Sequence, residues 1–71
     1  MKILLSVRSF DKLVDCIIET MIDCGCICEN RTEAREYIEM LINTKTIPDM
    51  QYELLIEKII NYSDEMLEQL Q

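Results

Sequence analysis

Histidine and tryptophan are missing from this chain, and glycine, proline and phenylalanine occur once each. The missing histidine removes the usual general base and the usual partner of a cysteine nucleophile. One glycine leaves no room for a glycine-rich phosphate loop. Basic residues are also scarce, with seven Lys and Arg against 14 Asp and Glu, a net charge of −7. Direct nucleic-acid binding needs a basic surface to neutralise phosphates, so it is not expected, and an anionic membrane surface is disfavoured for the same reason. No apolar run reaches the roughly 20 residues of a membrane span. The opening residues Met1 to Val7 carry one positive charge, and Arg8, Asp11 and Lys12 then interrupt them. No small-residue cleavage site follows, so no secretory signal is read and the expected compartment is the cytoplasm. Cysteines there stay reduced.

Apolar residues make up 49% of 71 positions, enough to argue for a folded core and against disorder. A single domain over residues 1–71 is expected. Gly25 and Pro48 divide it into three segments. In the first, Ile3, Val7, Phe10, Val14, Ile17, Met21 and Cys24 recur at helical spacing, which predicts a helix from about residue 2 to Cys24 with Gly25 as a left-handed cap. The alternative makes residues 2–7 a strand and starts the helix at Ser9. In the second, Asn30 and Glu33 have the spacing of a capping box, with Thr32 as the alternative cap, and Ala34, Tyr37, Ile38, Leu41 and Ile42 form an apolar face. The third opens on Ile47-Pro48-Asp49, with Pro48 in a first turn, and carries Tyr52, Leu55, Ile56, Ile59, Ile60, Met66, Leu67 and Leu70. Ser63-Asp64-Glu65 reads as a fresh cap, so the third segment is one long helix or a long helix followed by a short one. Short connections make neighbours antiparallel. The fold expected is an all-α, small antiparallel three-helix bundle, with or without a short fourth C-terminal helix.

Cys16, Cys24, Cys26 and Cys28 are the eye-catching cluster. Structural zinc sites draw pairs of ligands from two separate elements, whereas three of these thiols share one five-residue stretch. The ordinary reading places Cys16 and Cys24 in or near the core and leaves Cys26 and Cys28 incidental or redox-labile. No metal or other cofactor is expected, and neither is catalysis. A cysteine-based metal or redox sensor is the least favoured function.

Charge segregation is more informative. Residues 1–28 and 29–48 each sum to −1, whereas residues 49–71 hold Lys58 against Asp49, Glu53, Glu57, Asp64, Glu65 and Glu68, a sum of −5. These six carboxylates are the candidate partner-binding face. Leu4, Leu5, Met50 and Leu54 lie outside the main apolar stripes and are the candidate contacts to a partner or to a second copy. The expected function is a small protein-binding inhibitor or regulator that occupies a basic surface of a target protein, such as a nucleic-acid-binding protein. In style the chain resembles the small acidic proteins that phages and other mobile elements encode to block host proteins, the anti-defence and anti-CRISPR type. That resemblance assigns no residue roles. The alternative is a homo-oligomeric helical adaptor, a homodimer in its simplest form.

Overall fold

Ser6, rather than any residue near the start of the chain, begins the first helix. Its side chain accepts a hydrogen bond from the Ser9 amide at 3.1 Å, which satisfies one of the free donors of the first turn. The computed structural model describes residues 1–70 and contains α1 (Val7–Cys24), α2 (Arg31–Leu41), a 3₁₀ turn (Thr44–Thr46) and α3 (Asp49–Gln69). Among the described residues there is no strand.

Residues 2–6 are neither helix nor strand. They lie extended against the start of α3. Leu5 makes two bonds to one side chain: its amide donates to Gln51 Oε1 at 2.9 Å, and Gln51 Nε2 donates to its carbonyl at 2.8 Å. The Ile3 amide donates to the Thr46 carbonyl at 2.9 Å. These long-range bonds take the backbone groups that a longer helix would have used. Ile3 therefore leaves the apolar stripe and is exposed; Val7 in the first turn of α1 and Cys24 in the last are exposed as well. Phe10, Val14, Ile17 and Met21 form the buried face of α1. Gly25 ends the helix at φ +67°, the left-handed conformation that glycine adopts without a Cβ penalty.

Asn30, rather than Thr32, caps α2, and the returning Glu33 bond falls one residue before the cap. Asn30 Oδ1 accepts from the Glu33 amide at 2.9 Å, and Glu33 reaches back to the Glu29 amide at 3.3 Å. After Ile42 the chain makes the 3₁₀ turn, where Asn43 Oδ1 accepts from the Lys45 amide at 3.1 Å. Pro48 occupies the cap position of α3 and makes no side-chain bond there.

The third helix is continuous through Ser63-Asp64-Glu65, so the cap expected at Ser63 does not form and no fourth helix follows among the described residues. Ser63 is fully buried, and its hydroxyl donates to the Ile59 carbonyl at 2.9 Å. Bonding back four residues keeps a serine inside a helix. α1 and α2 both pack on α3. The core joins Phe10, Val14, Ile17 and Met21 to Ala34, Ile38, Leu55, Ile56 and Ile59, with Cys28 closing it beside Ser63. Truncating one such Ile to Ala costs about 2–5 kcal/mol, a large part of the stability of a domain this small.

Candidate functional site

The buried face of α3 consists of Leu55, Ile56, Ile59 and Ser63. Opposite it, Met50, Leu54, Glu57, Asn61, Asp64 and Glu68 recur at intervals of 4, 3, 4, 3 and 4, and all six are exposed. At roughly 100° per residue this spacing keeps them within one outward stripe about 27 Å long. Its first third is apolar and the rest is acidic. Met50 is 70% and Leu54 44% exposed, so the apolar end is open to solvent. Glu65 is exposed beside the stripe.

Two of the six expected carboxylates are committed elsewhere. Asp49 pairs with Lys2, and Glu53 pairs with Arg31 at the start of α2. The hydrogen bond and charge of Lys2 hold the Asp49 carboxyl below its ordinary range. With these pairs removed, α3 keeps Glu57, Asp64, Glu65 and Glu68 against Lys58, a local charge of −3 instead of −5. The residues 1–28 lose Lys2 to Asp49 and are left with four acids against Arg8 and Lys12, a local charge of −2. Those four acids, Asp11, Asp15, Glu19 and Asp23, form an exposed row with a four-residue repeat along α1. The repeat is visible in the sequence. In the net charge of residues 1–28 it is offset by the three bases of the same segment.

The four apolar candidates separate. Leu4 is 69% exposed, and Met50 and Leu54 open the α3 stripe. Leu5 is half-buried and packs against the core. Met1, Ile3 and Val7 are exposed in the same N-terminal stretch as Leu4, and the other exposed apolar side chains are Ile22, Met40, Leu41 and Leu70.

The cysteines also divide, and not as the sequence suggests. Cys28 is buried in the core, whereas Cys16 and Cys24 are exposed and Cys26 is half-buried. Cys28 is drawn inward because its amide donates to Ser63 Oγ at 3.0 Å. Burial, then the charges of Glu33 and Cys26, pushes the Cys28 thiol above its ordinary value. Such a thiol is a poorer nucleophile and metal ligand. Cys16 lies on the side of α1 that faces Ile42, in a hollow separate from the one lined by Cys26 and Cys28. Among the described residues no group of three or more Cys, Asp or Glu side chains is placed to hold a metal ion. The Tyr37 hydroxyl is buried beside Cys26 and Cys28 without a hydrogen-bond partner among the described residues. Burial, then the neighbouring Cys24, Cys26 and Cys28, raises the Tyr37 phenol. On α2 and α3, the Tyr52 hydroxyl donates to Glu39 Oε1 at 3.1 Å, which ties the two helices at the surface.

No helix of the described residues is long and apolar enough to cross a membrane. No protein-family model, no curated protein and no solved structure matches this chain.

Proposed function

We propose that this protein is a non-catalytic inhibitor or regulator that binds a basic surface of another protein through the outward face of α3. The observation that carries the reading is the single exposed stripe in which Met50 and Leu54 lead into Glu57, Asp64 and Glu68. An apolar anchor beside carboxylates matches the anatomy of specific interfaces, where a few desolvated contacts hold the complex and charge selects the partner. A groove that normally holds nucleic acid is the best complement, because it presents basic side chains in a row. A cytoplasmic role in the manner of a phage-encoded anti-defence protein accords with the −7 charge and small size. The stripe's geometry rests on an up-down-up bundle in which α2 runs antiparallel to α1 and α3. Contacts of Leu5 with Gln51 at one end and of Cys28 with Ser63 towards the other support that arrangement.

The test is affinity capture from the native host lysate at low and at high salt, followed by mass spectrometry and by titration of the purified partner. A basic partner whose affinity falls steeply with salt supports the reading. A captured partner that is acidic, or whose affinity is independent of salt, overturns it. A second copy on Leu4, Met50 and Leu54 is the competing occupant. It predicts a dimer by light scattering, whereas a face reserved for a basic protein predicts a monomer.

A further inference from the structure

Cys26 and Cys28 sit in the connection between α1 and α2, where the chain is neither helix nor strand. In extended backbone, residues two apart project to the same side. Both cysteines accordingly line one open hollow of about 310 Å³ against α2, together with Glu33, Tyr37 and Met40. Cys24 lines neither this hollow nor the one on the other side of Cys26. Of the other three thiols, only Cys26 is close enough for its charge to act on Cys28. The two members of the pair differ in access. Cys26 is half-buried, whereas Cys28 is 3% exposed and its amide is held by Ser63 Oγ. An oxidant from solvent therefore meets Cys26 first, with a second thiol behind it. Two residues apart, the Cα atoms are at most about 7 Å from each other, and a disulfide spans about 4.4–6.8 Å. A connection outside regular structure can close that difference.

The hollow also selects the oxidant. Its charged residues are Glu33 and Glu36, and none is basic, so an anionic oxidant such as oxidised glutathione is repelled. Hydrogen peroxide is uncharged and small enough to enter. The Tyr37 hydroxyl, buried at the same hollow without a partner among the described residues, leaves a donor for the oxygen that oxidation adds. We infer that Cys26 and Cys28 are a peroxide-oxidised thiol pair, in which Cys26 is the nucleophile and Cys28 the resolving thiol. The Cys26 thiolate attacks one peroxide oxygen. The O–O bond breaks, an S–O bond forms, and the other oxygen leaves as hydroxide, which takes up a proton to become water. The Cys28 sulfur then attacks the Cys26 sulfur. The S–S bond forms, the S–O bond breaks, and the hydroxyl leaves as a second water with the Cys28 proton. Two electrons pass from the two sulfurs to one peroxide. The pair lies apart from the outward face of α3, so its failure leaves the proposed binding surface untouched.

The experiment is treatment of the full chain, reduced and then freed of reductant, with equimolar hydrogen peroxide. Remaining thiols are blocked with iodoacetamide. After reduction, the released thiols are tagged with N-ethylmaleimide and located by tandem mass spectrometry. The oxidised protein is expected to be a monomer about 2 Da lighter, with the tags on Cys26 and Cys28. Oxidised glutathione at the same concentration should react at least about tenfold more slowly. The double variant Cys16→Ser with Cys24→Ser should keep the disulfide, since both residues are exposed and outside the hollow, and Cys26→Ser should lose it. In the wild-type protein, oxidation should shift the amide resonances of Cys28 and of Ser63, whose hydroxyl holds that amide, a readout that needs no variant. Tags on Cys16 or Cys24, a disulfide-linked dimer, or oxygen added to sulfur with no disulfide would each overturn the inference. So would resonances of Cys28 and Ser63 that stay in place, or a disulfide that forms as fast with oxidised glutathione as with peroxide.

Discussion

The Cys28 amide donates to Ser63 Oγ at 3.0 Å, and the same hydroxyl donates to the Ile59 carbonyl at 2.9 Å. One buried serine thus fastens the connection between α1 and α2 to the middle of α3, 35 residues away. Hydroxyls suit this place because they donate and accept at once.

Replacing Ser63 by Ala removes the acceptor and leaves a buried amide unpaired, a cost of about 1–3 kcal/mol. The higher helix propensity of Ala returns only about 0.5 kcal/mol, so the loss wins. Ser63→Ala is expected to lower Tm by at least about 2 °C, measured by thermal melting with circular dichroism. Ser63→Thr keeps the hydroxyl and should retain more stability than Ala. An unchanged Tm for Ser63→Ala would mean that the bond contributes nothing.

Tyr37 makes the opposite case. Its hydroxyl is buried without a partner among the described residues, so it carries a desolvation cost with no bond to offset it. Tyr37→Phe keeps the ring and removes the oxygen. The variant is expected to be as stable as the wild type or more stable by about 1 kcal/mol in urea unfolding. A loss of more than about 1 kcal/mol would show that the hydroxyl is bonded in solution.

Alkaline stability follows from the same region. Burial, with Glu33 and Cys26, makes the folded Cys28 thiol hold its proton to higher pH than the unfolded thiol does. Between the two values the folded state binds more protons, so stability declines as pH rises. The contribution is complete below the ordinary thiol value of about 8.5 and is lost above it, as pH rises through the folded value. Tyr37 and Tyr52, both raised first by burial, extend the decline above about 10. Urea midpoints measured from about pH 7 to about 10.5 should fall. Cys28→Ala should flatten the part of the decline nearest to about pH 9. A wild-type midpoint that stays constant over this range would contradict the account.

Local signals carried much of the fold. The stripe from Phe10 to Met21 has the roughly 3.6-residue period of a helix, and the Asn30–Glu33 box is set within one turn, so both are legible without tertiary information. What was not legible depends on distant partners. Ile3 continues the periodic spacing, yet Gln51, 46 residues from Leu5, holds the N-terminal segment extended. Ser63 has the composition of a cap, but its hydroxyl serves Cys28 from another element. The charge of residues 49–71 was overstated because Lys2 and Arg31 neutralise Asp49 and Glu53 across 47 and 22 residues. The α3 stripe changes from apolar to acidic along its length, so no single-property pattern follows it.

The most direct test compares two triple charge reversals in capture of the partner from host lysate, with recovery quantified by mass spectrometry. Glu57→Lys, Asp64→Lys and Glu68→Lys reverse the outward stripe of α3. Asp11→Lys, Asp15→Lys and Glu19→Lys make the same change in net charge on α1. All six side chains are exposed, so both variants should keep the wild-type helix content. The account predicts that the α3 variant recovers at least about tenfold less partner, while the α1 variant stays within about threefold of wild type. Equal losses from both variants, or full recovery by the α3 variant, would contradict the claim that the outward face of α3 is the binding surface.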